Sequence, residues 1–458
     1  MFGTSKISSI VNTSSCDIKT PGHVPLDVEN YPVAPDNLAL EQVHVYVRHG
    51  ERTPVKPRMT EHIPPQWQIC HVARQFKAAV AGPGVRETLE VKRIVERKDG
   101  TFDYGECTNA ELTDFGRKST YNFGNALRKL YVDRLHFLPD VMENTDEVYL
   151  RSSNRTRTIE SLQQVIHGLF PLDKQSQLFV PHICVRLVSI VRPHQSNGLT
   201  NTSRNKRDEN LYPNTSACPR LNTLMEEFAK AAADSMNPTL EPLDQKISKY
   251  IDGKPIRIDG SPKASGILET IRAATANGVK VPKEFLDPAV MDPIEKAVVV
   301  EWFGGYAVSP ELRRLGVGRV MDDVSQKMQR KALKKNEDQL KILVNCTHDT
   351  TIAGVLQTFG VYDRKWPAFT AQMTFELYKD KSDTSPPQSE SILIFGVALT
   401  SLFSVDVRMR YQNDTVVLPA CAAPGNHLEG RPEFCTLKAF AETIKEFTPT
   451  DWEAECTK

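Results

Sequence analysis

No charge of either sign dominates this chain: 57 Lys and Arg face 57 Asp and Glu, so the net charge is about zero. That balance excludes a nucleic-acid or anionic-membrane binder recruited by bulk charge, while leaving room for a locally positive pocket. No apolar run reaches the roughly 20 residues that span a bilayer. The most apolar stretch, from Ile392 to Val405, reads as a buried strand or hairpin. Cysteine is sparse: nine residues, an odd number and widely scattered, argue against a scaffold built on disulfides. Cys421 and Cys435 flank a loop containing Gly, Pro and Asn and can pair, whereas Cys346, inside an apolar run, reads as a buried thiol. Residues 1–20 lack the apolar core of a secretory signal, and Met1 to Cys16, Ser/Thr-rich and without acidic residues, lacks the arginines of a mitochondrial transit peptide. A disordered N-terminal tail is expected, within a tail segment 1–38, on a chain that stays inside the cell, in the cytoplasm or a mitochondrion.

What the chain does have is concentrated in Arg48-His49-Gly50-Glu51-Arg52-Thr53-Pro54. It follows Val43-His44-Val45-Tyr46-Val47, whose alternation has the period of a strand. A histidine and two arginines therefore arrive together where a strand stops. Gly50 permits a close turn and Pro54 stiffens the exit. Two guanidiniums beside an imidazole suit a multiply charged oxyanion, phosphate above all, because each guanidinium presents parallel N–H donors to two oxygens.

Two more strand–loop–helix units repeat this placement. Val148-Tyr149-Leu150 leads into Arg151-Ser152-Ser153-Asn154 and a helix with Ile159, Leu162, Ile166 and Leu169 on one face. Ile342 to Cys346 leads into Thr347-His348-Asp349 and a helix carrying Ile352, Val355, Leu356 and Phe359, ending near Gly360. Charged residues at the ends of several strands, each entering a helix, describe an open α/β sheet with a site along its carboxyl edge. Between residues 171 and 338 the texture turns helical, with Leu221, Leu224, Met225 and Phe228, then Val320, Val324 and Met328, at helical spacing. The expected division is an α/β domain formed by 39–170 and 339–458, interrupted by a mostly helical insertion over 171–338.

These residue types in this pattern fit phosphoryl transfer from a monoester. Arg48, Arg52 and Arg151 can neutralise the equatorial oxygens without a metal. His49 can attack phosphorus through a neutral ring nitrogen, and His348 can donate to a phosphoryl oxygen. Asp349 can protonate the leaving oxygen and then deprotonate the attacking water. No cofactor is called for. A phosphomutase and a catalytically inactive phospho-ligand binder are the alternatives; the late His-Asp pair speaks against the first and the intact nucleophile against the second.

The chain resembles the histidine acid phosphatase family, a branch of the histidine phosphatase superfamily, whose signature is an early Arg-His-Gly-X-Arg-X-Pro and a late His-Asp pair; both are intact here. The resemblance implies a three-layer α/β sandwich with a mixed, mostly parallel sheet and an inserted, mostly helical cap. It implies His49 as nucleophile, Asp349 as proton donor, and Arg48, Arg52, Arg151 and His348 as the phosphate-binding set. Arg48 to Pro57, Leu127 to Pro139, Tyr212-Pro213-Asn214 and Arg364 to Phe369 are similar to the lysophosphatidic acid phosphatase group. The expected substrate is thus a small phosphomonoester, a lysophospholipid being one candidate and inositol polyphosphates or phosphorylated sugars another.

Overall fold

The computed structural model describes residues 23–72, 75–79, 88–92, 94–175, 182–186, 200–334, 337–382 and 405–457. The segment Met1 to Cys16 and nearly all of the apolar stretch beginning at Ile392 lie outside them. The chain opens with β1 (Leu38–Arg48), two small hairpins, β2–β3 (Gln75–Ala79, Thr88–Lys92) and β4–β5 (Val95–Glu96, Phe102–Asp103), then α1 (Asp114–Arg128), β6 (Val148–Ser152), α2 (Thr156–Leu169), β7 (His182–Arg186) and β8 (Thr200–Arg204). A run of helices follows: α3 (Pro219–Leu240), α4 (Asp244–Ile247), α5 (Ala264–Ala276), α6 (Pro288–Val308), α7 (Pro310–Arg313) and α8 (Arg319–Lys334). The remainder is β9 (Ile342–Thr347), α9 (Asp349–Thr358), β10 (Gln372–Asp380), β11 (Val405–Tyr411), β12 (Asp414–Val416), β13 (His427–Leu428), β14 (Arg431–Thr436), α10 (Leu437–Phe447) and α11 (Trp452–Cys456).

Ten of these strands form one mixed sheet in the order β13-β14-β11-β10-β1-β9-β6-β8-β7, with β12 on β11. β1 is its seam. On one side β1, β9, β6, β8 and β7 run parallel. On the other, β10, β11 and β14 pair antiparallel. The parallel half is the one whose connections cross over through helices, and parallel pairing needs such crossovers. From Gln42 to Arg48 every residue of β1 is buried, as a strand covered on both faces should be. Val43, Val45 and Val47 join α1 and α2 in one core. Tyr46 enters the other, with Met373, Phe375, α9 and α10.

Two features depart from the division expected from sequence. β7 and β8, inside 171–338, extend the main sheet. Helix α8 presents Val320, Met321, Val324 and Met328 to the sandwich core, because the sheet face bearing Tyr46 and Phe375 needs an apolar cover. The helices that form a separate body are those around α5 and α6, and their core also takes Ile63 and Trp67 from before α1.

Cysteine is used more than its scarcity suggested. Cys70–Cys107, Cys218–Cys456 and Cys421–Cys435 are disulfides, and Cys346 is a free buried thiol. The segment from residue 23 to residue 37, expected to belong to a tail, is pinned instead. Tyr31 Oη donates to Glu376 Oε1 at 2.7 Å and accepts from Arg408 Nη2 at 2.6 Å. Arg408 Nε and Tyr131 Oη also donate to Glu376. Burial pushes the Glu376 carboxyl up, and Arg408, Arg410 and Tyr31 more than offset that, holding it below the usual range. Glu376→Gln should cost about 3–5 kcal/mol, the usual penalty for orphaning a buried ion-pair partner. A lower urea midpoint with faster proteolysis of residues 23–37 is the expected outcome. As Glu376 must be ionised to stabilise the fold, the wild-type advantage should fade on acidification through its depressed pKa.

Candidate functional site

The register of three neighbouring strands assembles the site. Arg48 on β1 pairs with Thr347 on β9, so His49 and His348 leave the sheet side by side. Ser152 on β6 pairs with Cys346, which brings Ser153 next to them. The His49 and His348 rings lie 5.5 Å apart edge to face. Immediately after His49 the chain passes so close to the N-terminal turn of α1 that a Cβ on Gly50 would stand 2.4 Å from the Gly116 carbonyl oxygen. Only glycine fits there.

His49 is poised as a neutral nitrogen base. Its Nδ1 lies 2.9 Å from the Gly50 carbonyl oxygen. A carbonyl only accepts, so Nδ1 carries the proton and Nε2 keeps its lone pair. Burial, followed by the charges of Arg157, Arg48 and Arg52, holds its pKa well below the ordinary value. Burial and Arg157 also push His348 down to about 3, and Ser153 Oγ fixes its Nε2 at 2.7 Å. The three arginines are themselves crowded: burial with Arg52, among others, lowers both Arg48 and Arg157 to about 10. The Nε atoms of Arg48, Arg52 and Arg157 are all buried without a partner among the described residues. Buried guanidinium donors left unpaired are costly, and an anion that accepts from them recovers that cost.

Asp349 opens α9, directly after His348. Arg48 Nη2 contacts its Oδ2 at 2.6 Å, Trp366 Nε1 donates to the same oxygen at 3.0 Å, and the Thr350 N–H donates to Oδ1 at 2.8 Å. Burial pushes the Asp349 carboxyl up, but Arg48, His348, Arg52 and the Trp366 N–H outweigh it and hold it below the usual range. A cavity of about 70 Å³ opens over Arg48, Arg52 and Asp349. Leu268, Val298, Trp366, Ala368 and Phe369 line the rest of its wall together with Ser265, Glu269 and Arg272 of α5. Its cations are paired: Arg52 with Glu269 at 2.5 Å, Arg272 with Glu295 at 2.6 Å.

Arg48, His49, Arg52, His348 and Asp349 thus converge. Arg151 does not, and is corrected here. Alternation along β6 sends it to the face opposite Ser152, where Glu209 (2.8 Å), Asn210 (2.5 Å) and Asp323 (3.3 Å) occupy its guanidinium. Arg157, whose charge acts on both His49 and His348, stands near them instead. The sequence signal was its position just inside the start of α2, where helix N-termini favour anions; Arg151 drew attention first because it stands at the strand end. Trp366 and Glu269 were also missed, since only tertiary contact brings them here.

Comparisons with known proteins bear on the family and the fold. The model of the histidine phosphatase superfamily (branch 2) matches residues 39–392. A probable acid phosphatase of Schizosaccharomyces pombe is 33% identical over 97% of this chain and 98% of its own length. The human lysophosphatidic acid phosphatase type 6 is 25% identical over 76% of each chain. Among solved structures, the phytase of Hafnia alvei superposes with a TM-score of 0.56 at 14% identity, covering 93% of this chain and 99% of that one. A multiple inositol polyphosphate phosphatase of Bifidobacterium longum gives 0.54 at 10% identity over 90% and 95%. At these identities the structures speak for the fold alone.

If Arg157 and not Arg151 faces the anion, Arg157→Met should weaken competitive inhibition by inorganic phosphate by about a hundredfold, as expected for a lost charge-assisted contact. Arg151→Met should instead lower the unfolding temperature and leave the inhibition constant near that of the wild type.

Proposed function

The chain belongs to the histidine phosphatase superfamily, branch 2, and is a phosphatase; on that footing we propose that it hydrolyses phosphate monoesters without a metal, through a phosphohistidine on His49. The observation that carries this reading is the tautomer of His49, fixed by Gly50 among three guanidiniums with free donors. In the first half-reaction Nε2 attacks phosphorus, the N–P bond forms as the ester P–O bond breaks, and the Asp349 carboxyl gives its proton to the leaving oxygen. In the second, water attacks the phosphohistidine and returns a proton to Asp349, releasing phosphate. Arg48, Arg52 and Arg157 carry the charge on the equatorial oxygens. His348 donates from Nδ1, for which Ser153 must donate to its Nε2.

The cavity wall supports a narrower substrate class. Its exposed lining surface is mostly apolar, and each lining arginine already faces a carboxylate. Such a pocket favours one phosphate on an uncharged or apolar leaving group, lysophosphatidate included, over an inositol polyphosphate. Three disulfides favour an oxidising compartment over the cytoplasm, one of the two settings, with the mitochondrion, first expected.

His49→Ala should abolish turnover of p-nitrophenyl phosphate, and acid-labile radiolabel from a phosphorylated substrate should be trapped on the wild type only. Turnover abolished by EDTA would count against the metal-free route. In a substrate panel, kcat/KM for lysophosphatidate should exceed that for inositol hexakisphosphate by roughly a hundredfold, given what like-charge juxtaposition costs. The reverse order would overturn the apolar assignment. As a depressed His49 pKa keeps the imidazole neutral at low pH, activity on alkyl monoesters should persist well below pH 6 and fall as rising pH takes the proton from Asp349.

A further inference from the structure

The general acid has a difficulty to overcome. Oδ2 of Asp349 accepts from both Arg48 and Trp366, and Oδ1 from the Thr350 N–H. Every one of these donors favours the carboxylate, yet an acid must hold a proton when the leaving group departs. We propose that Trp366 is a positioning residue for Asp349: its indole N–H keeps Oδ2 in place while the bound phosphoryl group draws Arg48 away and a proton takes the position on Oδ2 that Arg48 vacated.

The geometry supports this exchange. Arg48 is otherwise held by the Pro367 carbonyl through Nη1 at 2.7 Å and by the face of Phe369 at 4.1 Å. It can therefore turn donors to an anion without losing its seat. Trp366 is equally anchored, with Trp302 edge-on at 5.9 Å and Phe303 at 5.0 Å, and with its backbone N–H donating to Glu295. Its N–H is not drawn to an anion as a guanidinium is, so it stays on Oδ2. The other charged or titratable groups facing Asp349 are His348, Arg52, Arg157 and Tyr362. His348, Arg52 and Arg157 turn to the phosphoryl group in this step, and none of the four takes the position on Oδ2. The proton enters from solvent onto the second lone pair of Oδ2, and passes to the ester oxygen as the P–O bond breaks. A dianion beside Asp349 makes that protonation favourable, because two negative charges in one site oppose each other.

The inference rests on Asp349 being the general acid, and the experiment separates the two. Trp366→Phe keeps the ring packing on Trp302 and Phe303 and removes only the N–H. With glycerol 2-phosphate, kcat/KM should fall roughly tenfold, a modest part of what general acid catalysis supplies. With p-nitrophenyl phosphate, whose leaving group needs no proton, it should stay within about twofold. The alkaline limb of the glycerol phosphate profile should move to higher pH, because a donor to the carboxylate has gone. Equal losses on both esters, or an unmoved limb, would overturn the proposal. Replacing the indole by a benzothiophene of the same shape should reproduce the Phe result if the N–H is what matters. Asp349→Asn is the control: if it spares glycerol phosphate, the acid assignment itself fails, whereas selective loss there with a wild-type-like Trp366→Phe sinks only the positioning role.

Discussion

Positive charge crowded around an uncharged imidazole is the constraint that the rest of this molecule accommodates. Burial, with the charge of Arg52 among others, lowers the proton affinity of Arg48 and Arg157, and burial together with all three arginines keeps His49 neutral. Such a cluster persists only when the backbone leaves it no alternative. Three adjacent strand ends in fixed register provide that, with Arg48 opposite Thr347 and Ser152 opposite Cys346. β1, buried from Gln42 to Arg48, and the glycine-to-glycine contact at Gly50 hold the His49 loop in place. The same charges that make an unfilled site costly give an oxyanion its affinity.

What was readable in the sequence, and what was not, follows from how far each signal travels along the chain. Arg48 to Pro54 and His348-Asp349 are contiguous, so residues that act together are also written together. Arg157 is different. It had to be told apart from Arg151, which alternation along β6 turns to the other face, and its own approach to His49 from inside α2 is a matter of tertiary packing. Trp366 reaches Asp349 across 17 positions of sequence through a loop whose path no local pattern specifies. The α/β class and the helical texture were legible from periodicity. The assignment of β7, β8 and α8 to the sandwich was not, because an amphipathic helix announces a buried face without saying against what. Cysteine pairing divides in the same way: Cys421 and Cys435 flank a short loop, while Cys70–Cys107 and Cys218–Cys456 join residues 37 and 238 positions apart.

Charge pairing around the cavity ties specificity to catalysis. Glu269 meets Arg52, Glu295 meets Arg272, and Asp349 meets Arg48. The proposed preference for a single phosphate rests on this pairing, with the Nε atoms of Arg48, Arg52 and Arg157, partnerless among the described residues, left as donors to it. Discrimination of this kind works by withholding favourable contacts from the wrong ligand as much as by supplying them to the right one.

The bridge between Cys218 and Cys456 also imposes an order on biosynthesis. One sulfur stands just ahead of α3 and the other closes α11, 238 residues later. During vectorial synthesis the first thiol must wait for the ribosome to deliver its partner, while Cys70 and Cys107 can already have met. A nascent chain thus carries an unpaired, oxidisable sulfur through the making of α3 to α10, a long interval in which exchange with another thiol can misdirect it.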